Sequence, residues 1–372
     1  MAPFLPRHPG RSHPRMAGPP VVPGPAGGYG SSTTQSYREN VVANHLAIDN
    51  AGPGSAEAVL AKALAGFKLR DNAFHLLTLA AAWAVLILLG GVIAALVVGS
   101  VPAIKAFGFN FLWTEGWNPV TEKFGAMAAI YGTVVTSIIA MAIAVPSAFG
   151  IAIFLTELCP YPLRRPIGIA IELLAGIPSI IYGIWGLFVL APFLQEHVQP
   201  GLISAFANVP VLSGLFAGPP YGIGVLTAGV ILAIMVLPIV SSISRDVFET
   251  VPAVLKEAAY GVGCTTWEVV RSVVIPYTRV GLIGSVMLGL GRALGETMAV
   301  TFVIGNAHRI APSLLAPGTT ISATIANEFT EAVGDLYTSA LIALGLILFV
   351  ITFLIIAMAQ YMLLRLRRRE GQ

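Results

Sequence analysis

The sequence predicts an all-α membrane protein with six transmembrane helices, and three observations carry that prediction. The first is composition. Of 372 residues, 56% are hydrophobic and only 10% are charged, where soluble domains carry about 25% charged residues. The mean hydropathy of +0.82 points the same way. The second is length. A helix needs roughly 20 mostly apolar residues to cross a bilayer, and six segments supply them. They lie near Phe74–Val98, Ala126–Leu155, Ile167–Leu194, Gly222–Ile243, Gly281–Ile304 and Tyr337–Leu363. Pro146, Pro178 and Pro238 fall inside them, where neighbouring helices can satisfy the backbone groups a proline frees.

The third observation is the placement of Lys and Arg, which also orients the chain. Seventeen of the 21 fall in alternate segments: the N-terminal stretch, the second-to-third loop, the fourth-to-fifth loop and the C-terminal tail. Lys105, Lys123 and Arg309 fall on the opposite side, and Arg292 lies within a span. This asymmetry predicts that both termini are cytoplasmic and that Trp113 and Trp117 are external.

Residues 1–54 are rich in Pro, Gly and Ser. They bury too little apolar surface to offset the entropy of ordering, which predicts a disordered extension. The stretch has no 7–15-residue apolar core, so it does not read as a signal peptide. Residues 55–73 have the spacing of a short interfacial helix, with plain linker as the other reading. The membrane-spanning body covers 74–363, and 364–372 is a basic tail. Cys159 and Cys264 are far apart and suggest neither a disulfide framework nor a metal site.

The longest cytoplasmic loop, 244–280, has a readable shape. Pro252 suits the first turn of a helix, where its missing N–H is no loss. That helix carries Lys256, Glu257, Ala258 and Ala259. Gly261 and Gly263 permit a tight left-handed turn. Thr265 with Glu268 three residues on is a capping box that starts a second helix, which Pro276 is expected to end. The product is a pair of short helices displaying Tyr260 and Trp267, suited to docking a partner. Periodicity alone allows a second reading, an amphipathic loop lying on the membrane. The helix–turn–helix outline does not imply DNA binding, because it sits between two spans.

The fifth span holds the charges. At about 100° per residue, Gly281, Ser285, Gly289, Arg292, Glu296 and Ala299 share one face, and large apolar residues fill the other. Small residues allow close helix approach, and intramembrane charge must face a bundle interior or a water-filled cavity. Arg292 and Glu296 are four apart, so they can pair on the helix. The pair then either fixes packing or lines an anion pathway, for which arginine supplies planar, bidentate donors. Glu172, early in span three, is the other embedded carboxylate. It either pairs with Arg292 or, as favoured here, sits near the headgroups beside Arg164 and Arg165.

No lysine stands in a P-loop context, and neither HExxH nor GxSxG occurs. No enzyme activity is therefore expected of this chain. Any ATP that drives it must be hydrolysed on another chain.

Two resemblances extend this reading. Glu257-Ala258-Ala259, then Gly263, then Val273, Ile275 and Pro276, resemble the EAA loop of ABC-importer permeases at every spacing. The resemblance implies that Glu257, Ala258, Ala259, Gly263 and Pro276 belong to a surface that inserts into an ATPase subunit. GLGRALGETMAVTFVIGN (residues 289–306), ELLAGIPSIIYGIWGLFVLAP (172–192) and WNPVTEKFGAMAAIYGT (117–133) resemble the PstC-type permease subunits of phosphate importers. That likeness runs from about Phe74 to the C-terminus. It implies a type I, MetI-like ABC importer fold in the plasma (inner) membrane of a prokaryote, with Arg292 and Glu296 on the transport path; Glu172 is a further candidate for that path, apart from the resemblance. The implied partners are a second, PstA-type permease, two copies of a PstB-type ATPase that binds ATP, and an external PstS-type phosphate-binding protein. Inorganic phosphate is the implied cargo, and this chain needs no bound cofactor of its own. The residues alone leave other cargoes open: sulfate, molybdate or an amino acid. They also leave open an ion-coupled transporter that needs no ATPase.

Overall fold

The computed structural model describes residues 53–210 and 212–369. Six of its helices are long and apolar enough to cross a membrane, as the sequence predicts. Helix α1 (Pro53–Phe107) is unbroken, so the segment expected as an interfacial helix is the opening of α1. The predicted disordered extension lies almost wholly outside the described residues. Spatial proximity divides the chain between Leu86 and Ile87. The described part of the first unit is the start of α1, where Phe74, Leu76, Leu77 and Trp83 are exposed.

The second unit holds the other elements. Helix α2 (Met127–Leu158) ends in a π turn over Phe154–Leu158. Next come α3 (Tyr161–Ala175), α4 (Ser179–Phe206) and α5 (Val225–Glu249). The short α6 (Ala253–Gly261) leads to α7 (Thr266–Gly295) and α8 (Met298–Ile304). Helices α9 (Ile321–Glu328) and α10 (Asp335–Arg369) complete the chain.

Helix α5 forms the centre of this unit: 61% of its apolar window is buried, against 28% for α2 and 17% for α10. The cause is legible in side-chain size. Ala140, Ala144, Ala148 and Ala152 recur every four residues on α2 and are all fully buried. Such a stripe lets another backbone approach closely, which is how helices associate where lipid removes the hydrophobic driving force. Helix α5 meets α2 with Gly229, where an added Cβ would come within 2.5 Å of Ile139. Around them pack Ile231, Leu232, Val236 and Val240 of α5 with Val300, Val303 and Ile304 of α8.

Three predicted boundaries are corrected. The third span is not one helix over Ile167–Leu194. It breaks at Gly176–Pro178, and the membrane-length helix starts at Ser179. Pro178 disfavours α geometry in the residue before it and caps the new helix instead of kinking an old one. The fifth span does not run from Gly281 to Ile304. It starts at Thr266, ends at Gly295, and yields to α8 after Glu296 takes extended backbone (φ −71°, ψ 131°). Nor does Pro276 end a short helix. A π turn over Val270–Val274 leads into the α segment Ile275–Gly295, with Pro276 in its first turn, where a missing N–H is tolerated. The predicted 244–280 loop is therefore mostly helix, and the true connector between α5 and α7 is residues 250–265.

Candidate functional site

The first candidate site is the elbow between α5 and α7. Pro252 caps α6 (φ −55°, ψ 132°), one position earlier than expected. Gly263 has φ +92°, a region that favours glycine. The Gly263 N–H donates to the Tyr260 carbonyl at 2.9 Å and Cys264 N–H to that of Ala259 at 3.1 Å, closing the turn. The predicted capping box is complete: Thr265 N–H donates to Glu268 Oε2 at 2.7 Å, and Thr265 Oγ1 accepts from Glu268 N–H at 3.4 Å.

The elbow has two faces. Val254, Tyr260, Val262 and Trp267 are exposed, as are Glu257, Ala258 and Pro276. The inner face is a small core of Val251, Val269, Val274 and Leu282 with Phe248 of α5 and Ala152 of α2, against which Ala259 and Cys264 pack. Sequence reasoning missed the clamp between the two faces: Lys256 Nζ lies 2.5 Å from Glu157 Oε1 in the π turn of α2, and the Glu157 side chain is only 7% exposed. Both residues are visible in the sequence, but 99 residues separate them.

Removing one partner of a buried ion pair leaves the other charge uncompensated, at a cost on the order of 3 kcal/mol. Glu157→Gln should therefore loosen α6, read as severalfold faster amide hydrogen exchange across residues 253–265. The exchanged pair Glu157→Lys with Lys256→Glu should restore protection. Unchanged exchange in the single variant would show the clamp to be dispensable.

The second candidate site is the break between α7 and α8. Gly281, Ser285 and Gly289 do form the predicted small-residue stripe, and it packs on α5. A Cβ at Gly281 or Gly289 would meet Val247 or Val240 within 2.6 Å, and Ser285 Oγ lies 3.0 Å from Ser244 Oγ. Arg292, however, does not continue that stripe. Ala293, buried, holds the next position, while Arg292 lies one residue round the helix and is exposed from this chain. Arg292 and Glu296 also do not share one helix, because α7 stops at Gly295. Among the described residues no ion pair joins them. Glu296 Oε1 instead accepts from Ala299 N–H at 3.4 Å, in the first turn of α8.

The break after α3 meets the break before α8. Gly183 of α4 sits so close to α8 that a Cβ would lie 3.1 Å from both Ala299 Cα and the Met298 carbonyl oxygen. Tyr182 bridges its own break, donating its hydroxyl to the Leu174 carbonyl at 2.8 Å. It lies within the electrostatic reach of Arg292. Broken helices at membrane depth occur where backbone is buried in protein or lines a cavity.

Glu172 is not brought to Arg292. It lies on α3, and its Oε1 accepts from Arg245 Nη2 at 2.8 Å. Arg245 also binds Asp246 at 2.9 Å. Gly168 makes room for that guanidinium, which a Cβ would meet at 2.7 Å. A further network escaped the sequence reading. Glu328 of α9 accepts from Trp117 Nε1 at 3.0 Å and from the Tyr337 hydroxyl, and it lies 3.1 Å from His308 Nε2. It joins four segments of chain through one carboxylate, which no local motif announces.

Together, the six spans, the broken helices beside Arg292 and the exposed elbow define a polytopic transport permease. Residues 125–368 match the family described as "Binding-protein-dependent transport system inner membrane component". The chain is 73% identical to the phosphate transport system permease protein PstC of Mesorhizobium japonicum over 305 residues, which covers 82% of this chain and 93% of that relative. It is 57% identical to the PstC of Pasteurella multocida over 288 residues, covering 77% and 90%. A chain of a bacterial alginate ABC transporter, solved with a periplasmic protein holding an alginate pentasaccharide, matches with a TM-score of 0.54. Its identity is 17%, over 80% of this chain and 96% of that one. That likeness shows the fold, a type I ABC importer permease. The chain belongs to the binding-protein-dependent inner membrane components and, within them, to the PstC permeases.

Proposed function

We propose that this chain is the membrane-spanning permease subunit of an ATP-driven phosphate importer, and that phosphate passes beside Arg292. The observation that carries this reading is an exposed arginine at the junction of two broken helices, in a chain 73% identical to a phosphate permease. A guanidinium facing away from its own bundle needs a second subunit or a water-filled path to be tolerated within a membrane. Its planar donors match phosphate oxygens. Glu296, capping α8 nearby, limits how tightly an anion is held there.

A PstA-type permease completes the pathway, and an external PstS-type protein delivers phosphate. The elbow, with both chain termini, faces the cytoplasm, in accord with the Lys and Arg asymmetry. Two PstB-type ATPase subunits bind ATP and dock on this elbow and on that of the second permease. Closure of the ATPases pushes α6. The Lys256–Glu157 clamp and the apolar core beneath it then carry the displacement into α2, α5 and α7.

The deciding experiment reconstitutes the chain with its candidate partners in proteoliposomes and measures phosphate uptake. ATP-dependent uptake is expected. Uptake by this chain alone, driven by a proton gradient, would overturn the importer reading.

A further inference from the structure

A cavity of about 530 Å³ opens where α3 meets the end of α5, away from Arg292. Its lining carries Arg164, Arg165 and Arg245 against Glu172 and Glu249, with Tyr161 and Ile169 at its walls. The three guanidinium groups are not equally occupied. Arg245 is held by Glu172 and Asp246. Arg164 donates one Nη2 hydrogen to the Thr156 carbonyl at 2.6 Å, and its buried Nε–H has no partner among the described residues. Arg165 is exposed. Among the described residues, Arg165 thus stands beside the cavity with its donors unspent, and Arg164 beside it with only Nη2 taken by protein; the buried Nε–H is closed to the cavity and plays no part in it.

We propose that this cavity is a second anion site, built for a phosphate group and separate from the transport path. The planar donors of Arg164 and Arg165 suit the oxygens of a phosphate. The cavity has room for a hydrated phosphate ion or a glycerophosphate headgroup. Ile169 and Leu173, exposed on the same helix, offer an apolar track beside it along which an acyl chain lies when the phosphate belongs to a lipid. Basic pockets between helices at the cytoplasmic surface bind anionic headgroups in this way.

The position gives the site a consequence. Glu249, which lines it, is the last residue of α5, and α6 begins at Ala253. An occupant therefore sits at the root of the elbow and biases its docking. This inference rests on the cytoplasmic orientation of the elbow stated above.

The test uses the assembled importer and has two arms. In the first, the complex is reconstituted in phosphatidylcholine bilayers with and without phosphatidylglycerol, and native mass spectrometry counts retained lipid. In the second, inorganic phosphate is titrated into complexes carrying Arg292→Gln in phosphatidylcholine alone, so that the transport path does not contribute. Arg165→Gln is compared in both arms, with Arg164→Lys as a variant that keeps the charge beside Thr156. Loss of retained phosphatidylglycerol in Arg165→Gln identifies a lipid headgroup. A tenfold or greater weakening of phosphate binding identifies the free ion. Binding that is absent from both arms, or unchanged by both substitutions, overturns the site. ATP-dependent uptake by the unmutated complex tests the transport reading separately, so failure of one does not imply failure of the other.

Discussion

Arg292→Gln is expected to reduce ATP-driven phosphate uptake by about 100-fold while the importer still assembles. Charge-assisted hydrogen bonds are worth up to about 3 kcal/mol, and 1.36 kcal/mol is tenfold in rate. Glutamine keeps polarity and much of the reach but loses the charge and the forked donors. The chain should still fold because α7 packs on α5 through the neighbouring stripe, Gly281, Ser285 and Gly289, and not through Arg292, and subunit assembly should survive because glutamine keeps a neutral polar side chain of similar reach where the guanidinium stood. Uptake in proteoliposomes reads the first effect, and co-purification of all subunits reads the second. Normal uptake would mean that the arginine serves packing alone. Arg292→Lys is informative beside it: a point charge without the planar fork should recover only part of the loss.

Gly263→Val should uncouple the ATPase from the spans. Gly263 has φ +92°, and left-handed backbone costs an L-residue about 1–2 kcal/mol, with β-branched residues at the unfavourable end. The expected result is roughly a tenfold fall in ATPase docking affinity, with near-normal insertion of the chain. Among the described residues, no atom beyond its chain neighbours lies within 4 Å of where a Cβ would stand, so the effect is conformational and not a clash. Gly263→Asn, which tolerates this backbone region, should therefore dock almost normally. Equal loss in both variants would point to a direct ATPase contact at this position and would refute the turn argument.

Much of the elbow was legible because its signals are local. A capping box needs only Thr265 and Glu268 three residues apart, and a left-handed turn needs only a glycine at the right place. The position of Pro276 was legible too, but not its effect. Proline removes one donor, and whether the helix stops or absorbs the loss in a π turn depends on what packs around it. The buried Val270 and Val274 hold that turn in place. The clamp between Lys256 and Glu157 was not legible, since nothing in either neighbourhood names the other.

The embedded charges show the same division. That Arg292 lies at membrane depth followed from hydropathy. That it pairs with Glu296 was an extrapolation from helical spacing, and the spacing ends at Gly295. Just past the break at the Gly-Glu-Thr segment, α8 lies against the Gly183 backbone of α4, a contact more than a hundred residues away in sequence. In the sequence Glu172 reads as part of a span because the apolar run starts before it, at Ile167. Pro178 and the neutralising Arg245 set the boundary elsewhere.

By itself the sequence determined the class, the number of spans, the shape of the elbow and the resemblance to phosphate permeases. These depend on hydropathy, charge distribution and short-range spacing, which are written along one stretch of chain. Only the tertiary structure decided where helices break, that Arg292 leaves the packed stripe and stands free of Glu296, and that Glu172 belongs to Arg245. Inside a bundle, an ion pair or a close backbone approach is set by which helices become neighbours, and packing alone selects those neighbours.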